Sequence, residues 1–218
     1  MFFTPTIYAM KEWSNLYLLV LSNGGYDGLG KIREREMEAA AKQMGFKGCC
    51  VLDKADIPDG PHEWNVEAAI IHIEDHINLR KKEGINFGNL VTFDEYGVSA
   101  HPNHISTFHA CYEWYMNSSI NIDLLILETV PLWRKYDGYL DILLAERDKI
   151  NFFLPSPWNA ATALMIHHSQ FVWYRKLFMA FSRYGYFNSL TWFPAFRINS
   201  EKVRITPDGS VATKAKDQ

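Results

Sequence analysis

The 218 residues carry no surplus of positive charge. There are 22 Lys and Arg against 25 Asp and Glu, a net charge of -3, which argues against nonspecific nucleic-acid binding, since that asks for a basic face. Cysteine is sparse and odd in number. Cys49, Cys50 and Cys111 lack the paired spacing of a structural zinc site or disulfide framework, and apolar neighbours mark them as buried reduced thiols. No run of about eighteen apolar residues offers a membrane-spanning helix, and residues 1–8 lack the basic and apolar regions of a signal peptide. The glycines of SNGGYDGLG, residues 22–30, do not give the G-x-G-x-x-G spacing of a dinucleotide loop, although the stretch lies between a strand and a helix.

What remains is an ordinary globular composition, 48% hydrophobic and 22% charged, long enough to bury one core. Thr4 and Pro5 mark a helix over 5–12. Short, continuously apolar strands are expected at 16–21, 48–52, 90–93, 123–127 and 150–154, separated by helices at 31–44, 64–82 and 105–116. That alternation predicts an α/β fold, a Rossmann-like three-layer sandwich with a mostly parallel sheet. Ser156 and Pro157 open one long helix over 159–183, in which His167, Phe171, Tyr174, Phe178 and Phe181 share a face. Flanked by Arg175, Lys176 and Arg183, that face is either core or an interfacial surface for an anionic lipid. One domain over 1–198 and a polar, unstructured tail over 199–218 complete the expectation.

The chemistry gathers in residues 89–104, NLVTFDEYGVSAHPNH. A strand ends at Asp94; a loop with Gly97, Ser99 and Ala100 follows; His101 and His104 stand three positions apart around Pro102. Residues just past the carboxyl end of a parallel strand line the ligand crevice of such sheets, so one carboxylate and two imidazoles there suit a hydrolytic site. Isolated histidines are more often packing or surface residues, and His62, His72 and His76 are read as structural or solvent-facing. Arg33 and Glu36, one helical turn apart, fit either a substrate contact or a surface ion pair. Turn chemistry alone accounts for ADIPDGP, residues 55–61.

TFDEYGVSAHPNH resembles a signature of the LmbE-like zinc deacetylase family, and more narrowly its branch acting on N-acetylglucosaminyl-phosphatidylinositol in GPI-anchor synthesis. SNGGYDGLGKIREREM, ADIPDGP, LWRKY and HHSQFVWYRKLFMAFSRYGYFNSL follow in the branch's order. The resemblance implies zinc-dependent amide hydrolysis at the cytoplasmic face of the endoplasmic reticulum membrane, with the glycolipid and the membrane surface as partners. Residue by residue, it makes His104 a zinc ligand, His101 the group beside the tetrahedral intermediate, and Asp94 an orienting residue; Arg33, Asp59 and His167 would face the substrate. Asn103 stands where some members carry aspartate. The family's His-Pro-Asp-Asp-Glu stretch, which supplies further ligands and the general base, is absent from these 218 residues. A first strand missing with that stretch is therefore expected, in a chain either truncated or serving as a non-catalytic glycolipid binder.

Overall fold

The computed structural model describes residues 1–156, 158–198, 201–205 and 211–213. In chain order the elements are α1 (Thr4–Met10), β1 (Tyr17–Val20), α2 (Gly30–Met44), β2 (Gly48–Val51), α3 (Val66–Lys82), β3 (Asn89–Phe93), α4 (Pro102–Asn117), β4 (Asp123–Leu127), α5 (Leu132–Lys135), β5 (Ile150–Phe153), α6 (Trp158–Ile166), α7 (Trp173–Phe181), β6 (Phe187–Phe193), β7 (Ala195–Ile198), β8 (Glu201–Ile205) and β9 (Val211–Thr213). A 3-10 turn spans Gly138–Leu144.

The expected α/β alternation is present. β1 pairs in parallel with β2, and β3 in parallel with β4, with Phe93 opposite Leu127. On the far side of β4 the ladder turns antiparallel, giving the order β3-β4-β6-β5. The sequence pattern did not point to β6, and its polar interior shows why. Asn188 and Ser189 are buried because each is satisfied: Asn188 Oδ1 accepts from the Thr6 amide and hydroxyl at 3.2 and 2.8 Å, and Ser189 Oγ donates to Asn151 Oδ1 at 2.8 Å. Buried polar groups that are paired carry little penalty, so the strand does not need an apolar run.

The largest core cluster sits between the helices and the strands. Ala69, Ile73 and Ile77 of α3 recur at four-residue spacing; with Phe108, Cys111 and Tyr115 of α4 they close over Leu124 and Ile126 of β4, the one-sided stripe of a surface helix. Asn65 caps α3 by accepting from the Ala68 amide at 2.9 Å, and α2 ends at Gly45, whose φ of 91° needs no side chain. The three cysteines are free, and burial raises the Cys49 and Cys111 thiols to about 11, which keeps both inert.

Two expectations fail here. The single helix over 159–183 is two helices, α6 and α7, separated by a 3-10 turn at His168–Gln170. Glu36 of α2 accepts from both the amide and the hydroxyl of Ser169, at 2.7 and 2.6 Å, and so draws that amide away from a helical ladder. The polar tail contributes strands as well, β8 and β9, which with β7 form an antiparallel sheet; the remaining residues of that stretch lie outside the described ones. No helix among the described residues is long and apolar enough to cross a membrane.

Candidate active site

The loop from Asp94 to His101 is held by hydrogen bonds between side chains and backbone. Asp94 Oδ2 accepts from the Thr129 amide at 2.6 Å, and Oδ1 from the Thr129 hydroxyl at 2.5 Å and the Tyr96 amide at 3.2 Å. The Thr129 hydroxyl in turn accepts from the Val98 amide at 2.8 Å, so Asp94 fixes the loop, while no described contact links it to either imidazole. Gly97, Val98 and Ala100 have φ of 59°, 62° and 56°. For Gly97 this is free, but for the buried, β-branched Val98 it is strained. Lys135 of α5 closes the ring by donating its ammonium to the Val98 carbonyl. A side chain on Gly97 would bring its Cβ to 2.7 Å from the His104 Cβ, so only glycine lets the loop lie this close to the first turn of α4.

This packing sets the two imidazoles in opposite tautomers. The Gly97 carbonyl, which can only accept, lies 3.0 Å from His104 Nδ1; Nδ1 therefore carries the proton and Nε2 keeps a free lone pair. His101 caps α4, its Nδ1 accepting from the Asn103 amide at 3.2 Å, so in its neutral form the proton sits on the outward Nε2. The rings lie 5.2 Å apart. His104 stacks on Phe93 at 4.3 Å and meets the edge of Phe2 at 5.7 Å. Burial, opposed by the Gly97 hydrogen bond and the Asp59 charge, lowers its pKa from the ordinary histidine value. A lone-pair imidazole thus stands beside a donor imidazole.

Three loops converge on the same end of α4. Asn103 Nδ2 donates to Asp59 Oδ1 at 3.2 Å, and the Tyr26 amide to Asp59 Oδ2 at 3.2 Å. Asn103 thus brings a carboxylate to the site by hydrogen bonding, and its own Oδ1 is buried without a partner. Arg33 NH1 approaches Asp59 at 4.0 Å while the guanidinium binds the Gly24 carbonyl and Asp27. Arg33 and Glu36 are turned to different partners, so the simple ion pair between them is not what the structure contains. His167 lies elsewhere on α2's flank, its Nδ1 4.0 Å from Glu36; burial first, then nearby positive charges, lower its pKa. The structure therefore groups His101, His104, Asp59 and Arg33, and sets Asp94 behind the loop and His167 one turn further along α2. His72, read as structural or solvent-facing, binds Asp56 at 3.0 Å.

Thr129 was not singled out as a site residue, and Asn103 only as the position where some family members carry aspartate. Thr129 had a signal: it follows β4 as the Asp94 loop follows β3, and neighbouring parallel strands end side by side. His104 meets what a metal asks of an imidazole, a free Nε2 with Nδ1–H fixed by a carbonyl. Among the described residues, however, no three His, Cys, Asp or Glu side chains are placed so that they could hold a metal ion, so these residues alone do not fill a zinc site.

The sequence matches the family model described as PIG-L, GlcNAc-PI de-N-acetylase, over residues 1–115. It is 34% identical over 202 residues to N-acetylglucosaminyl-phosphatidylinositol de-N-acetylase of Bos taurus, covering 87% of this chain and 77% of that protein. It is also 34% identical over 202 residues to the probable enzyme of that name from Schizosaccharomyces pombe, covering 84% and 78%, and 30% identical over 229 residues to that of Dictyostelium discoideum, covering 87% of each. A two-histidine loop at a strand end and matches of this extent agree: the chain belongs to the PIG-L family of GlcNAc-PI de-N-acetylases.

Proposed function

We propose that this protein hydrolyses the acetamide of N-acetylglucosaminyl-phosphatidylinositol, a step of GPI-anchor biosynthesis, and that it works at the cytoplasmic face of the endoplasmic reticulum membrane. The observation that carries the proposal is the pair of opposite tautomers, His101 offering Nε2–H beside a neutral His104 with a free Nε2. As water adds to the acetyl carbon, His101 Nε2–H donates a hydrogen bond to the carbonyl oxygen where negative charge collects, and the proton that the water gives up is delivered to the sugar nitrogen as the carbon–nitrogen bond breaks. Acetate and the free amine result. Asp59, positioned by Asn103, and Arg33 suit the sugar hydroxyls and phosphate. His167, beside Glu36 on α2, stands apart from that group. The test is acetate release from the short-chain glycolipid by the endogenous protein, isolated with any residues that precede Met1. His101→Ala is expected to lower turnover by about 10²- to 10³-fold with binding little changed; equal turnover in the variant would remove His101 from the chemistry.

Zinc is a proposal of the same kind. His104 is the ligand this chain offers, and catalytic zinc generally takes three protein ligands, so the 218-residue chain by itself should retain well under one zinc per molecule by elemental analysis. Stoichiometric zinc with normal turnover would overturn that expectation. The incomplete ligand set also favours a second reading, a chain that binds the glycolipid without turning it over.

A further inference from the structure

The 3-10 turn Gly138–Leu144 has its polarity inverted. Asp141 is completely buried, whereas Leu140 and Leu143 are 67% and 81% exposed. The arrangement is built, not incidental. Arg134 clasps Asp141 with two hydrogen bonds at 2.7 and 3.0 Å, and Arg183 Nε stands 3.0 Å from the second carboxylate oxygen. Arg183 is itself buried, donates to Ser189 of β6 at 3.0 Å and lies 4.8 Å over the Phe187 ring. Turning Asp141 outward would strand two guanidinium charges, one of them fully buried. The leucines are thereby locked toward solvent.

Helix α7 is inverted in the same way. Trp173, Leu177 and Phe181 recur every four residues along one exposed stripe, while Met179 points into the core. The two elements adjoin: a Cβ on Gly138 would lie 3.5 Å from the Phe181 carbonyl, and the Tyr136 ring meets Phe178 edge-on at 6.2 Å. With Leu132 and Trp133 of α5, also exposed, they make one apolar face. Contiguous exposed apolar surface of this kind marks an interaction site.

We propose that this face docks on an anionic phospholipid bilayer, seating its leucines and aromatics at the boundary between headgroups and acyl chains. Three observations choose the bilayer. Tryptophan and tyrosine, apolar in body and polar at the tip, suit that boundary. Residues 132–181 hold six Lys and Arg against four Asp and Glu, although the whole chain has an acidic excess, and Lys176 is exposed beside this stripe, over the Phe171 ring. The face also adjoins the histidines, because Phe2 meets both Phe178 of α7, at 5.5 Å, and His104, at 5.7 Å. Docking there would present the site to a substrate that stays in the membrane. The inference rests on the proposed glycolipid substrate and deepens it.

The test is co-sedimentation of the protein with vesicles of phosphatidylcholine, with and without phosphatidylserine. Wild-type protein is expected to bind the anionic vesicles more tightly. The double variant Leu143→Ser, Trp173→Ser should bind at least about tenfold more weakly. Lys176→Glu, at an exposed position, should lose mainly the preference for phosphatidylserine. Wild-type protein that stays in the supernatant, variants that sediment like it, or a wild-type dimer that the double variant dissolves would each overturn the proposal. Binding of a water-soluble short-chain glycolipid, measured by calorimetry, reports on the proposed function alone, so failure of either is readable apart from the other.

Discussion

Around the histidine loop polar groups are turned inward and hydrogen-bonded, with Asp94 on Thr129, Thr129 on Val98 and Gly97 on His104. Across the face formed by α5, the 3-10 turn and α7, the apolar groups are turned outward, and a single buried carboxylate between two guanidiniums holds them there. Both regions spend stability on geometry. The loop accepts a strained Val98 to aim two imidazoles, and the face buries Asp141 and Arg183, with Arg134 partly buried beside them, to keep its leucines in solvent. Strain and buried charge that a packed core would avoid tend to mark function. What differs is the element that fixes each region: hydrogen bonds between backbone and side chains in the loop, and an ion cluster under the face.

That contrast can be broken from either side. Asp141→Ala should have the largest effect, about 3–5 kcal/mol of lost stability by chemical denaturation, because it leaves the Arg183 and Arg134 charges uncompensated. A loss under about 1 kcal/mol would show that the triad does not hold the turn. Gly97→Ala should cost less, about 2 kcal/mol, through its left-handed φ and the 2.7 Å clash with the His104 Cβ, and it should also displace His104. Unchanged stability would mean the loop has room to yield. Leu143→Ser should be nearly silent, within about 0.5 kcal/mol, since the side chain is exposed. A large loss there would mean that the leucine packs in the core and that the face is not free.

The sequence pattern revealed much of the scaffold and part of the site. Five apolar strands and the helices between them were legible from their continuous apolar runs, as expected of the parallel strands β1 to β4; β5 shares the pattern although it pairs antiparallel with β6. β6 was not, because Asn188 and Ser189 interrupt its run and are satisfied in part by partners distant in sequence, Thr6 and Asn151 among them. The break between α6 and α7 depends on Glu36, more than a hundred residues away from Ser169, and no local periodicity contains it. The imidazoles were legible from their spacing after a strand. Their opposite tautomers were not, since these depend on the Gly97 carbonyl and the Asn103 amide, contacts that only the folded loop defines. Residues 173–181 show the limit most plainly: the face expected there, Tyr174, Phe178 and Phe181, shares only Phe181 with the exposed stripe of Trp173, Leu177 and Phe181, and which side met solvent required the structure.

The most direct measurement is the protonation of the two ring nitrogens in each histidine, read by long-range proton–nitrogen correlation in the labelled protein at neutral pH. The account predicts His104 protonated at Nδ1 with a bare Nε2, and neutral His101 protonated at Nε2. A proton on Nε2 of His104, or the same tautomer in both rings, would contradict it.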